Sequence, residues 1–271
     1  MKKKLFDACR SGLTILTEKM HIIKLNMRGP KVGTDEFFDY ADYYLQSLYG
    51  SKQIINQEWQ YESIHGGLSL NLFCPEEDAF EEKNATIYVK RARIRLEDEL
   101  GCSLEFIYQE IDPELGESVI PQNSEFLILK TARVSPLIDG HSLGQIPLYK
   151  IPFTYKESYQ NINSWEYAYE DVYGLWLIGS VGEKWAQQQM QNHDSGLSKH
   201  GIECCKQIEA VTDIPTYYFL FNYRAWGRNR DRERKCPSCS REWYMEGKTF
   251  NDFYAFKCDY CRLISELSSS K

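Results

Sequence analysis

The sequence has no run of eighteen consecutive apolar residues, so it predicts no membrane-spanning helix. It also lacks the HExxH motif of zinc proteases, the nucleophile elbow and the phosphate-binding loop. Only five histidines are present, which leaves few candidates for acid–base chemistry. Asp139 and His141 could be drawn as such a pair, and His65 lies in a glycine-containing turn, but a histidine in a loop usually faces solvent. We therefore assign no catalytic residue and keep an enzyme of unknown chemistry as the third hypothesis.

A disulfide framework is also missing. Of nine cysteines, four belong to the paired motif described below, and the other five show no regular spacing. The lysine-rich start of the chain resembles a signal sequence, but Asp7 and Arg10 interrupt the apolar stretch that should follow. We therefore expect a protein of the reducing cytoplasm, with no membrane partner.

The N-terminal part of the chain follows the pattern of an α+β domain. We interpret residues 1–19 as a leader that is either disordered or precedes a true start at Met20. Strands and helices then alternate in the order strand, helix, strand, strand, helix, strand, with Thr34 and Asn84 as the predicted helix caps. This order over residues 20–135 is that of the ferredoxin-like, split βαβ fold.

A mainly helical segment is predicted over residues 136–223. Ser164 is the predicted cap of a long helix that runs towards Met190, and a second helix covers residues 197–211. Three glycines within the long helix would each cost about 1 kcal/mol relative to alanine, so we expect them to allow close packing of another element. The segment ends in an aromatic strand at residues 216–223.

Two cysteine pairs near the C-terminus carry the most specific signal. Each pair encloses two residues, so both thiolates can reach one ion from a tight turn, and eighteen residues separate the pairs. Four thiolates complete a tetrahedral Zn²⁺ site with no open position, so the single ion would be structural. Residues 236–265 are predicted to form a zinc ribbon, followed by a short tail at 266–271; a redox role for the pairs is the alternative. The predicted metal ligands are Cys236, Cys239, Cys258 and Cys261.

A basic segment, residues 224–235, joins the aromatic strand to the predicted ribbon. The chain carries a net charge of −7, yet between residues 222 and 235 six cations face two carboxylates, giving +4. Arginine suits bidentate phosphate contacts, and an aromatic ring among arginines can stack on a base. The predicted nucleic-acid-binding residues are Arg224, Trp226, Arg228, Arg230, Arg232, Arg234 and Lys235. The alternative is a solvated linker that follows a core strand.

Four stretches between residues 200 and 265 resemble one known family. They are the strand sequence IPTYYFLF at 214–221, the basic segment, CPSC with Glu242 and Trp243 after it, and FKCDYCRL at 256–263. On these residues the chain resembles an uncharacterised bacterial family of zinc-ribbon-containing proteins for which nucleic-acid binding has been suggested. The resemblance implies a cytoplasmic bacterial protein, and it carries over the four cysteines as ligands. Ser240 stands where glycine commonly follows the second cysteine, so the turn there has to accommodate a residue with a side chain.

The sequence therefore predicts an α+β protein with a ferredoxin-like N-terminal region, a helical middle segment and a C-terminal four-cysteine zinc ribbon. The preferred functional hypothesis is non-catalytic binding of DNA or RNA through the basic segment beside a structural zinc. The competing hypothesis is a protein–protein interaction module that uses the ribbon and the aromatic strand leading into it.

Overall fold

The computed structural model describes residues 18–116, 121–223, 227–245 and 254–267. Within them the chain is mixed α+β, with two sheets and five helices of eight residues or more. The first sheet is antiparallel, with the strand order β2-β3-β1-β4. The N-terminal half consists of β1 (Glu18–Arg28), α1 (Asp35–Gly50), β2 (Glu62–Ile64), β3 (Gly67–Cys74), α2 (Ile87–Ile94, extended by a π-helical turn, Arg95–Glu99) and β4 (Ser103–Gly116).

The core of this half follows from the periodicity of its elements. Alternate residues Ile23, Leu25 and Met27 of β1 are buried and share one core with the apolar residues of α1 and α2. Helix α1 begins where predicted, because the Thr34 side chain accepts a hydrogen bond from the Phe37 N–H at 3.2 Å. Two of the leader residues, 18 and 19, belong to β1, while the rest of the leader lies outside the described residues.

The predicted cap of α2 is wrong by two residues. Thr86 caps this helix, since its hydroxyl accepts a hydrogen bond from the Val89 N–H. Asn84 instead closes a preceding 3₁₀ turn, where its side-chain amide donates to the Asp78 carbonyl at 2.7 Å. Both residue types are good caps, so local sequence alone did not distinguish them.

The C-terminal half contains the second sheet, with the strand order β6-β5-β7-β9-β8. Its three central strands are parallel, and an antiparallel strand pairs at each edge. Its elements are β5 (Leu127–Leu129), β6 (Leu137–Asp139), α3 (Gln160–Ile178), α4 (Glu183–Gln191), α5 (Gly196–Thr212), β7 (Thr216–Phe219), a short helix α6 (Arg228–Arg232), β8 (Phe256–Cys258) and β9 (Leu263–Ser265). The hairpin β8–β9, which carries two of the cysteines, is therefore part of the same sheet as the aromatic strand β7.

The predicted long helix is two helices. Helix α3 begins at Gln160, four residues before the predicted cap, and ends because Gly179 takes the left-handed φ of 67°. Gly182, with φ of 71°, then starts α4. These two glycines supply a turn, and a Cβ added at the third, Gly174, would meet nothing within 4 Å, so the expectation of close packing is wrong. None of the helices in the described ranges combines the length and apolar character that crossing a bilayer needs.

The two halves contact each other through buried polar groups. The Lys52 ammonium lies 2.8 Å from a carboxylate oxygen of Glu166 on α3, and both side chains are less than 5% exposed. Burial raises the pKa of Glu166, which the neighbouring ammonium partly offsets. A second ion pair between the halves, Lys150 with Asp78 at 2.9 Å, is partly exposed.

Candidate metal centre and the basic segment

The four predicted ligands come together at one point beside the second sheet. Their Sγ atoms all lie within 4.8 Å of one another, and those of Cys239 and Cys258 are 3.7 Å apart. A tetrahedral ion with metal–sulfur bonds of about 2.3 Å places its sulfurs about 3.8 Å apart. The cluster can therefore hold a metal ion. Two of the thiols are buried and two are partly exposed, so the cluster lies at the boundary between the protein core and solvent.

Each cysteine pair forms a turn that we call a knuckle: the first knuckle is residues 236–241 and the second is residues 258–262. In the first, the Ser240 N–H donates to the Cys236 carbonyl, and the Cys236 N–H donates to the Arg241 carbonyl, both at 2.9 Å. Ser240 takes a left-handed φ of 59°, and Arg262 takes 52° at the equivalent place. The backbone therefore keeps the left-handed conformation that glycine usually adopts at this position. For a residue with a Cβ this conformation costs about 1–2 kcal/mol.

Backbone N–H groups donate hydrogen bonds to the sulfurs of Cys236 and Cys239. A hydrogen bond from the Arg241 N–H lowers the pKa of Cys239 to about 7. Burial raises the pKa of Cys236 to about 12, although the Cys239 and Ser238 N–H groups oppose that shift. Because thiolates are the metal-binding form, donors aimed at sulfur favour the bound state.

Two buried aromatic rings, Trp243 and Phe256, share a hydrophobic core with Cys236 and Cys258. Their centroids are 5.1 Å apart, and each side chain is at most 2% exposed. The Trp243 indole N–H donates to the Arg234 carbonyl at 2.7 Å. Both rings are therefore packing residues of the core and do not present a stacking surface.

Arg234 occupies the inside of the fold. Its guanidinium lies 4.2 Å from the Phe256 ring centroid and 4.8 Å from that of Trp243. It pairs with the fully buried Asp231 at 3.2 Å and donates to the Ser265 hydroxyl at 3.3 Å. Arg234 is therefore engaged with the core, and we assign it a structural role in place of the predicted phosphate contact.

The remaining basic residues have different surroundings. Arg230 and Arg232 are exposed on α6, and the Arg232 guanidinium lies 5.8 Å from the Tyr244 ring centroid. Lys235 is exposed and forms an ion pair with Glu242. Arg228 is the first residue of α6. The predicted residues Arg224 and Trp226 lie outside the described residues.

A surface pair that the sequence analysis missed joins the two knuckles. The Arg241 guanidinium lies 3.9 Å from the centroid of the Tyr260 ring. Next to Tyr260, the Asp259 carboxylate accepts hydrogen bonds from the Tyr217 hydroxyl at 2.5 Å and the Lys257 ammonium at 2.7 Å. In the sequence, Arg241 follows the first cysteine pair and Tyr260 lies inside the second, and nothing local indicates that they meet. Only the folded knuckles bring the two residues together.

The histidine and aspartate considered for catalysis form a turn. The Asp139 carboxylate accepts hydrogen bonds from the N–H groups of His141 and Ser142. The His141 Nε2 lies 2.8 Å from the Glu125 carboxylate. The carboxylate of Asp139 thus binds the backbone of residue 141, and the imidazole turns to a different acidic group.

The fold and the site define an α+β protein with a four-cysteine centre built into its second sheet. Residues 121–221 match a family model described as a domain of unknown function (DUF2310), and residues 227–271 match another (DUF8594). The boundary between the two matches falls inside the second sheet, since β5, β6 and β7 belong to the first match and β8 and β9 to the second.

Two proteins of Haemophilus influenzae, both described as uncharacterised, resemble the chain. One is 31% identical over 208 residues, which cover 74% of this chain and 78% of the relative. The other is 36% identical over 134 residues, which cover 49% and 66% respectively. The chain belongs to the same bacterial protein family as the first of these. No solved structure matches it.

Proposed function

We propose that the protein binds nucleic acid without catalysis, through the basic segment that a zinc ribbon holds in place. The observation that carries the proposal is the internal position of Arg234. This side chain fixes one end of the basic segment to the core of the metal-bearing half. The neighbouring arginines of α6, at 230 and 232, lie on the exposed side.

Zinc is the ion that the donor set favours. Four thiolates at tetrahedral spacing, with no further ligand and no open position, are typical of structural Zn²⁺. Cys236, Cys239, Cys258 and Cys261 would hold it, and the ion would contribute folding free energy. Two knuckles joined to a short hairpin support the assignment as a ribbon.

The N-terminal half is inferred to be ferredoxin-like. A split βαβ fold built from four antiparallel strands has the element order found in this half, with the hairpin strand β3 inserted between β1 and β2. Fold alone does not assign a function, so the proposal rests on the C-terminal half.

The charge around the centre is compatible with a polyanion. Three nearby carboxylates each have a cationic partner: Glu242 with Lys235, Asp259 with Lys257, and Glu209 with Arg262. Ion pairing reduces the repulsion that these groups would exert on phosphate. With Arg234 paired to Asp231 and Lys235 paired to Glu242, the local positive charge comes from the other four arginines of the segment, although the chain as a whole is acidic.

The test is the salt dependence of oligonucleotide binding. Replacing Arg228, Arg230 and Arg232 with glutamine should weaken binding and lower the slope of log K against log salt by about 2, at about 0.7 per lost single-strand phosphate contact. A matched control replaces the exposed arginines of α2, Arg91, Arg93 and Arg95, which have the same spacing in a helix of the other half.

Equal loss of affinity in both triple variants would mean that the position of the arginines in the fold does not matter. Unchanged affinity in the α6 variant would refute the proposal. Binding that is insensitive to salt, together with a protein that co-purifies stoichiometrically, would favour the competing interaction-module hypothesis.

A further inference from the structure

The most exposed aromatic side chain in the part of the chain that the structure describes is Tyr260, at 70%. It lies at the tip of the second knuckle, between two cysteines of the metal centre. The Arg241 guanidinium of the first knuckle covers the ring at 3.9 Å from its centroid. A guanidinium at this distance interacts with one face of the ring, so the high exposure of Tyr260 reflects access to the other face.

Both members of the pair are held by the metal-centre backbone. The Arg241 N–H bonds to the Cys239 sulfur, and its carbonyl accepts from the Cys236 N–H. On the other side, the Asp259 carboxylate beside Tyr260 is fixed by Tyr217 of β7. The ring is therefore presented on a rigid turn, and ordering it on binding costs less conformational entropy than ordering a tyrosine in a mobile loop.

The charge of Arg241 remains available to a ligand. Among the described residues, no carboxylate forms an ion pair with its guanidinium, whereas Lys235, Lys257 and Arg262, in or next to the two knuckles, each have one. Lys235 directly precedes the first knuckle, so the basic segment leads along the chain to the Arg241–Tyr260 pair.

We propose that the Arg241–Tyr260 pair is a stacking platform for an unpaired nucleobase, which makes single-stranded nucleic acid the ligand of the basic segment. This proposal rests on the proposed function. A base stacks on the open face of Tyr260, while the guanidinium on the opposite face supplies positive charge next to the adjoining phosphate. Bases inside a duplex are already stacked and cannot reach the ring.

The experiment measures fluorescence anisotropy with the full zinc-loaded chain and two labelled 12-mers, oligo(dT) and an oligomer of abasic sites. Tyr260→Ala should weaken oligo(dT) binding by about 5- to 150-fold, the range expected for loss of one base–aromatic stack. Binding of the abasic oligomer should stay within twofold. Tyr260→Phe, which keeps the ring, should retain the affinity of the natural protein for oligo(dT).

Tyr155→Ala is the matched control, because Tyr155 is also exposed and has a lysine ammonium 5.2 Å from its ring centroid. It should leave oligo(dT) binding unchanged. Zinc content is measured for each variant, and Tyr260→Leu, which keeps bulk without an aromatic ring, should reproduce the loss in a folded, metal-loaded protein.

The two proposals fail in different ways. Unchanged oligo(dT) binding in folded Tyr260→Ala or Tyr260→Leu would refute the platform. If the α6 arginine variant still weakened both oligomers, the proposed function would stand. Failure of the natural protein to bind either oligomer at low salt would overturn both.

Discussion

The two halves of the molecule reach a folded core by different means. In the N-terminal half, β1, β3 and β4 have 11, 8 and 14 residues, and two helices share an apolar core with their sheet. Among the described residues of the C-terminal half no strand exceeds four residues, and its three central strands pair in parallel. Short parallel pairs have few ladder hydrogen bonds and are slightly less stable per residue than antiparallel ones.

The difference indicates what a metal ion in the four-cysteine cluster would contribute. The strands β8 and β9 carry or adjoin the second knuckle, and β9 pairs directly with β7. A centre that joins both knuckles therefore ties the C-terminal end of the chain to the middle of its sheet. The N-terminal half has no comparable cross-link among its described residues, and its longer strands do not require one.

The largest predicted effect is the loss of a ligand. Cys258→Ser should abolish stable metal binding and destabilise the C-terminal half by several kcal/mol, because structural zinc contributes about 10–16 kcal/mol of binding free energy in small zinc-finger peptides. Calorimetry should show a separate, lower transition that the natural protein lacks. Cys102→Ser, at a buried cysteine outside the cluster, is the control and should keep the full metal content.

Arg234→Met tests the anchor of the basic segment. Removing the guanidinium takes the cation away from the buried Asp231 carboxylate, which should cost about 3–5 kcal/mol in urea unfolding. The double variant Arg234→Met with Asp231→Leu should recover most of that loss. Arg232→Met, on the exposed side of the segment, should change stability by no more than about 0.5 kcal/mol. Equal costs for the two arginines would contradict the inward position of Arg234.

Packing density in the C-terminal core is tested by two glycines. A Cβ at Gly201 of α5 would lie 2.2 Å from the Tyr218 ring and 2.6 Å from the Trp165 indole nitrogen. Gly201→Ala should therefore destabilise by about 1–3 kcal/mol through overpacking, despite the better helix propensity of alanine. Gly174→Ala in α3, where a Cβ meets nothing within 4 Å, should instead stabilise by up to about 1 kcal/mol. If both substitutions changed stability in the same direction, this description of the packing would be refuted.

The smallest effect concerns pH. Hydrogen bonds from Arg262 lower the pKa of Glu209 in the folded state below its usual value of 4.5. The stabilisation is therefore present above that value and is lost as pH falls through the folded pKa. Since both side chains are about a third exposed, the effect should stay below about 1 kcal/mol. Glu209→Gln should flatten the acid limb of Tm between pH 6 and 3, whereas Glu203→Gln on the same helix should not.

The features predicted correctly from the sequence are those that depend on residues close together in the chain. The cysteine spacing identified a cluster whose sulfurs do meet, and the Thr34 cap begins α1 as expected. The element order of the N-terminal half was also readable, because its long amphipathic elements alternate clearly. In contrast, the break between α3 and α4 depends on Gly179 and Gly182 taking left-handed backbone angles, which a helical apolar stripe does not reveal.

Tertiary contacts decided the rest of the candidate site. Arg230, Arg232 and Arg234 are spaced evenly along one basic segment, yet only the fold shows that Arg234 turns towards Trp243 and Phe256. The pairing of β9 with β7 joins residues more than forty positions apart in the chain. No local pattern encodes such contacts, and the Arg241–Tyr260 pair arises in the same way.

Hydrogen exchange before and after treatment of the protein with a zinc chelator tests the central claim most directly. The amides of Tyr218 and Leu220, which bond to the Arg262 and Ile264 carbonyls, should lose protection when the ion is withdrawn. Amides in the ladder between β1 and β3 should remain protected. Loss of protection in both halves, or in neither, would contradict the account in which the four-cysteine centre braces the C-terminal sheet alone.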